Sequence, residues 1–463
     1  MIKDLTRGTP IKLIAWFALP ILIGNIFQQL FQISDILIVG RLLGVKSLAA
    51  VGSSAPIFFV FLMVAFGFTA GLTIITAQRF GARDVTGIKS SVFHSLLASF
   101  VLSLFICGIL IFFLKPLLRL MNVPEEIMEE SYTFMFILGL SVVPIVLYNL
   151  LSGFIRALGD SKTPLYFLIA SSLLNIAFNM LFIYGMGLGV EGSAGGTFVS
   201  MTLSALACIW IIEVKFPLLK ITKTDCKYNH DFMMEHLKVA VPMAFQFSIL
   251  GVSIMIVQSV CNSFGTDVIA GFTAALRIEQ ISTQPLFALG IAFATYAAQN
   301  YGAALLKRIR QGVRQCLITC LIMSILISLG VRFYGSTLVS AFIEGGDEKI
   351  VHIGQQYLMI STFFYFFLSC IFIARNALQG MGRTIIPLLS GVIELVMRSV
   401  AAFYLAKTIG YIGIFWAGPI AWLGGGVVVC VGYWVVIRGL KPRDMREIFT
   451  KKHLAHQSGN LPE

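Results

Sequence analysis

Residues 11–39 read IKLIAWFALPILIGNIFQQLFQISDILIV, and after Lys12 the run contains a single charged side chain, Asp35. A helix rises 1.5 Å per residue, so the run is long enough to cross a hydrocarbon core about 30 Å thick. Backbone amides find no water in that core, and only a helix closes their hydrogen bonds within one segment. Asp35 stands six residues before Arg41, which puts its carboxylate about 9 Å inside the outer boundary. Gln28 and Gln32 precede it by seven and three residues and extend a polar stripe along the same helical face.

Outward from this run, apolar stretches of the same kind recur near 54–76, 92–114, 131–152, 164–184 and 193–213. A second set lies near 239–262, 275–297, 312–336, 352–374, 385–406 and 412–437. Only 12% of the 463 residues are charged and 57% are hydrophobic, whereas soluble domains carry about a quarter charged residues. With a mean hydropathy of +0.89, a water-soluble fold is excluded. The expected fold is an all-α integral membrane protein with about twelve transmembrane helices. The polar stretch 214–238 is expected to be a cytoplasmic linker between an N-terminal lobe (1–213) and a C-terminal lobe (239–437), with 438–463 as a cytoplasmic tail.

The formal charge of +12 follows topology. With the N-terminus inside, 25 of the 34 Lys and Arg residues fall on the inward side, as expected for cytoplasmic loops. Both termini are therefore expected in the cytoplasm of a multi-pass inner or plasma membrane protein, with no nucleic-acid partner. Lys3 and Arg7 lead into the first span without a small-residue cleavage pattern, so that helix is expected to be retained. The eight cysteines include no CxxC pair, and Cys316 and Cys320 share a helix face as packing residues. His94 is the only histidine well within a span and no HExxH occurs, so no enzyme chemistry is expected.

The halves repeat. Ala77-Gln78-Arg79-Phe80-Gly81-Ala82 corresponds to Ala298-Gln299-Asn300-Tyr301-Gly302-Ala303 at an offset of 221, Pro20 pairs with Pro242 at 222, and Gly159 and Pro164 pair with Gly382 and Pro387 at 223. Two six-span lobes that enter the membrane in the same sense follow, with a site in or between them. Gly67 and Gly71, and likewise Gly192 and Gly196, have the spacing of close helix contacts.

Acids within spans are costly and call for a function or a partner. Asp35, Glu279 and Glu394 qualify. Asn175 and Asn179 are four residues apart on one face of the fifth span. One carboxylate with two carboxamides suits Na⁺, and the same carboxylate could instead carry a proton. At offsets of 221 and 223, Asp35, Asn175 and Asn179 map to Ile256, Arg398 and Ala402; the constellation belongs to the first lobe alone. Glu394 is expected to pair with Arg398 one turn on, and Glu279 with Arg277 or the outer interface. Gln28, Gln32, Glu279, Glu394 and Arg398 are candidates for a polar cavity, which the 39 phenylalanines and 17 methionines could help to line for bulky apolar cations.

FALPILIGNIFQQLFQISDILIVGRLLG, GFTAGLTIITAQRFGARD, SGFIRALGDSKTPL, NIAFNMLFIYGMGLGVEGSAGGTFVS, AFATYAAQNYGA and NALQGMGRTIIPL together resemble, in order and over essentially the full chain, the MATE (multidrug and toxic compound extrusion) transporters. The resemblance implies two six-helix lobes forming an outward- or inward-facing V. It further implies export of organic cations or amphiphiles against entering Na⁺ or H⁺, with no other cofactor. It makes Asp35 the first-helix acid, Asn175 and Asn179 the fifth-helix pair, and Thr197 a sixth-helix hydroxyl near that pair. Many relatives have Asp at the position of Asn179; the Asn pair resembles the NorM-type branch, whose acids in the seventh and tenth spans are missing here. The expected function is a monomeric secondary antiporter, with a flippase for a lipid-linked cell-envelope precursor as the alternative. No metal site is expected beyond Na⁺ at Asp35, Asn175 and Asn179.

Overall fold

The computed structural model describes residues 3–343 and 347–442, with the side chains of residues 31, 32 and 36 outside that description. Gln32 and the tail beyond residue 442 therefore lie outside the described residues. The described residues form fourteen α-helices and no strand. The first seven are α1 (Pro10–Leu42), α2 (Gly44–Gly81), α3 (Val85–Phe112), the short α4 (Leu114–Leu120), α5 (Glu125–Ala157), α6 (Lys162–Met180) and α7 (Val190–Lys215). The others are α8 (His230–Cys261), α9 (Thr266–Gly302), α10 (Leu306–Ser340), α11 (Glu348–Phe363), α12 (Tyr365–Gly380), α13 (Ile385–Ile409) and α14 (Ile412–Gly439). Eleven of these are individually long and apolar enough to cross a membrane, and the pair α11 and α12, bent by 51° at Phe364, is so when taken together, for up to twelve candidate spans. Phe112, Leu326, Phe333 and Trp434 stand exposed on the helices, as lipid-facing side chains do.

The repeat is written into the helix ends. α5 and α12 both stop at a left-handed glycine, Gly159 (φ +85°) and Gly382 (φ +74°), each donating its amide three residues back over 2.8 Å. A side chain at Gly159 would collide with the Lys3 carbonyl, 1.9 Å from where its Cβ would stand. The turns after α2 and α9 each place a non-glycine residue in the left-handed region, Arg83 and Ala304, which are 221 residues apart. The polar stretch expected to run as a linker to residue 238 is already helical from His230. Polar residues continue the helix beyond the apolar stretch.

The chain divides into two units, and the divisions fall inside helices. Among the described residues, unit 1 takes 3–4 and 20–248, and unit 2 takes 5–19 and those between 249 and 442. The breaks therefore lie at Leu19/Pro20 in α1 and at Ser248/Ile249 in α8.

In unit 1, α5 is the central helix, packed by α2, α3 and α7, and Leu72, Ile88, Phe154 and Cys208 share its core. α2 meets the first half of α8 through Gly67 and Gly71: a Cβ on Gly67 would stand 2.6 Å from the Met243 carbonyl oxygen, and one on Gly71 2.5 Å from Ala240 Cα. At the end of α2, the buried Arg79 pairs with Asp84 and Glu235, each at 3.2 Å. His94 accepts the Asn229 amide at Nε2 over 2.9 Å while its Nδ1 donates to the Ser90 carbonyl at 2.7 Å, so this in-span histidine anchors the linker. In that linker the Thr222 hydroxyl and amide, with Lys89 behind them, hold the Asp225 carboxyl below its ordinary range.

In unit 2, α9 packs on α11 and α12, and α13 lies against α14. Phe272, Tyr357 and Phe415 stack at its centre. The N-terminal segment docks here: Leu5 donates its amide to Gln299 Oε1 at 2.9 Å, and its carbonyl accepts from Asn300 Nδ2 at 3.3 Å. Cys316 and Cys320 are fully buried, where they pack as small apolar residues.

Candidate functional site

Three helices of unit 1 bring the polar side chains together. Asn175 and Asn179 are stacked one turn apart on α6, which continues into a π-helical turn, Leu181–Gly185. Ser193, Thr197 and Ser200 face them from α7. Asp35 Oδ1 accepts from Asn179 Nδ2 at 2.6 Å and from the Ser193 hydroxyl at 3.1 Å. Asn179 Nδ2 also donates to Asn175 Oδ1 at 3.0 Å, and Asn175 Nδ2 reaches Thr197 Oγ1 at 3.0 Å and Ser200 Oγ at 3.4 Å. Asp35, Asn175, Asn179 and Thr197 therefore form one connected set.

Gly196 is what lets α7 approach this closely. A Cβ there would stand 2.0 Å from Asn179 Oδ1. Asn175, Asn179, Ser193 and Ser200 are fully buried, while Asp35 and Thr197 are half-buried. Asn179 Oδ1 is buried with no hydrogen-bond donor, and among the described residues the second Asp35 oxygen also accepts none. A buried acceptor such as Asn179 Oδ1 is rarely left in this condition. Among the described residues the set has no positively charged partner, and its unused atoms are oxygens. Gln28 is exposed and takes no part in these bonds. Ser193 and Ser200 were not singled out in the sequence, although the i, i+4, i+7 spacing of Ser193, Thr197 and Ser200 places all three on one helical face.

The acids of unit 2 have other partners than the sequence suggests. Glu394 pairs with Arg375 of α12 instead of Arg398, and Ser390 Oγ donates to it at 3.0 Å. The expectation of an i,i+4 pair fails because Gly425 of α14 makes room on the other side of Glu394: a Cβ there would stand 2.4 Å from Glu394 Cγ. Gly425→Ala is expected to push Glu394 off Arg375 and destabilise the protein by about 2 kcal/mol; an unchanged Tm in detergent would count against this account. Arg277 does not hold Glu279 and donates instead to Gln280 at 3.5 Å. The Tyr357 hydroxyl donates to Glu279 Oε2 at 2.9 Å. Arg398 is nine-tenths buried. Among the described residues, no group of three or more His, Cys, Asp or Glu side chains could hold a metal ion.

The model of the MatE family matches residues 20–181 and again 242–404. The chain belongs to this family. The two matches begin 222 residues apart, so the family's unit occurs once in each half, as the sequence repeat requires. MATE proteins are transporters with a two-lobe helical fold, driven by Na⁺ or H⁺ gradients without a prosthetic group. The chain is accordingly a multi-pass membrane transporter and not an enzyme. It is 31% identical over 383 residues to the probable multidrug resistance protein YpnP of Bacillus subtilis, covering 82% of this chain and 84% of the relative. It is 24% identical to the probable multidrug resistance protein NorM of Thermotoga maritima, covering 87% and 88%. Its structure is similar to an outward-facing multidrug resistance MATE family transporter of the MOP superfamily, with a TM-score of 0.87, 25% identity, and 95% and 98% of the two chains covered.

Proposed function

We propose that this MATE transporter is a secondary antiporter that exports cationic amphiphilic drugs in exchange for Na⁺ entering at Asp35. The observation that carries the ion is the orphaned Asn179 Oδ1 beside the free Asp35 oxygen. Na⁺ is a hard cation that several oxygens satisfy together, with the Asn175 carboxamide and the Ser193 and Thr197 hydroxyls in the same set. A proton would satisfy fewer of these acceptors. The export of drugs is supported by relatives that are themselves described as multidrug resistance proteins, a description that does not favour a lipid flippase.

Transport follows if Na⁺ and drug favour different states of the two lobes, residues 1–213 and 239–437, because a ligand shifts an equilibrium only by its differential affinity. The protein works in this reading as a monomer in the cell membrane, with the Lys- and Arg-rich loops and both termini on the cytoplasmic side. The test is ethidium export from proteoliposomes under a Na⁺ gradient at clamped pH, and separately under a proton gradient without Na⁺. Export driven by Na⁺ alone is expected. Export driven only by the proton gradient would overturn the ion assignment, and no ethidium movement under either gradient would overturn drug export.

A further inference from the structure

Arg398 of α13 occupies the position that the offset of 223 relates to Asn175 of α6. At the same offset Asn179 becomes Ala402, and at the offset of 221 that aligns the helices after it Asp35 becomes Ile256. A guanidinium therefore stands in unit 2 where unit 1 has a carboxamide beside a carboxylate. Glu279 of α9 lies within Coulombic reach of it but does not touch it, being engaged by the Tyr357 hydroxyl. Glu394, the other acid nearby in sequence, is already neutralised by Arg375.

The unused atoms of this cluster are donors. Arg398 Nε is buried without a partner, and among the described residues the guanidinium makes no hydrogen bond or ion pair. Among the described residues the Tyr365 hydroxyl, at the start of α12 and fully buried, makes no hydrogen bond either; the nearby Ser361 turns its own hydroxyl to the Leu358 carbonyl at 3.4 Å. A guanidinium offers five N–H donors in a fork that matches an oxyanion. Leaving it bare at membrane depth is costly. In unit 1 the orphan is an acceptor, Asn179 Oδ1, and calls for a cation; in unit 2 the orphans call for the opposite charge.

We propose that Arg398, within the cluster that includes Tyr365 and Glu279, is an oxyanion-recognition site that takes the carboxylate of a transported amphiphile. Glu279 limits the choice, since a second negative charge on the ligand would face its carboxylate. A monocarboxylate fits and a phosphate dianion does not. Unit 2 is thus the charge-inverted counterpart of the cation set in unit 1, and the transporter accepts acidic amphiphiles as well as cations.

The site rests on the transport reading only for its readout, so the test measures binding as well. Dansylglycine, a fluorescent monocarboxylate, is titrated against the purified full-length protein, and its export is compared with that of ethidium in proteoliposomes. Saturable dansylglycine binding is expected for the wild type. Arg398→Gln is expected to weaken it by about tenfold or more, the worth of one charge-assisted contact, while ethidium export stays within about twofold. Tyr365→Phe, a milder change that serves if Arg398→Gln does not fold, is expected to weaken dansylglycine binding about threefold. No saturable binding to the wild type would overturn the proposal, as would equal binding by wild type and both variants. Recovery of dansylglycine binding in the double variant Glu279→Gln, Arg398→Gln would also overturn it, because Arg398 would then only balance Glu279. If dansylglycine binding depends on Arg398 while ethidium is not exported, this site stands and the drug-export reading falls.

Discussion

Asp35→Asn is expected to yield a folded transporter that Na⁺ no longer drives. The substitution keeps the size of the side chain and an oxygen able to accept from Asn179 and Ser193, which now reach Asp35 Oδ1 at 2.6 and 3.1 Å. It removes the one full negative charge of the set. A contact between Na⁺ and a carboxylate in a partly dehydrated site contributes at least about 2.7 kcal/mol, so Na⁺-driven ethidium export should fall about a hundredfold. Stability should move the other way, because removing a charge from a low-dielectric span lifts a desolvation cost. The paired readouts are export in proteoliposomes and Tm in detergent. Na⁺-stimulated export close to that of the wild type would remove Asp35 from the coupling site.

The second large effect is expected where no polar chemistry occurs. Gly71→Leu should destabilise unit 1 by about 3 kcal/mol or more, because the added Cβ would stand 2.5 Å from Ala240 Cα and 3.0 Å from Ala240 N. Those atoms are backbone, and only a shift of α8 away from α2 can relieve the clash. Gly67, one turn before, would meet the Met243 carbonyl in the same way, so the two helices touch along a seam and not at a point. Gly108→Ala in α3 is the matching control: nothing lies within 4 Å of its Cβ position, and alanine favours the helix by up to about 1 kcal/mol. A Gly71→Leu protein with the Tm of Gly108→Ala would show that the seam is not what holds α8.

The spans were legible because bilayer burial needs long apolar runs, and few other folds produce them. Their ends were not. The expected run 193–213 is α7 from Val190 to Lys215, and 92–114 is α3 from Val85 to Phe112, since a helix does not stop where its apolar stretch does. The break in the tenth span was hidden for a different reason: Ser361-Thr362-Phe363-Phe364-Tyr365 contains neither glycine nor proline, yet the helix bends there by 51°. At the site, Asp35 and the Asn pair stood out because a carboxylate and stacked amides are expensive in hydrocarbon, whereas Ser193 and Ser200 passed as small residues of a packed helix. Glu394 was assigned to Arg398 because spacing along one helix says nothing of Arg375, which approaches from another.

The position of the breaks between the units, inside α1 and inside α8, bears on the ancestry of the chain. Each half begins with a helix whose opening segment is counted with the other half: residues 5–19 belong with the second, and residues 230–248 with the first. A half-length ancestor carrying one repeat could not have completed its own core with its own opening segment. It would have lent that arm to a second copy and borrowed one in return, as in a domain-swapped dimer, and joining the two genes end to end would preserve the exchange. Two separately expressed halves, cut in the loop between Leu219 and His230, should accordingly recover a functional protein only when both are made together.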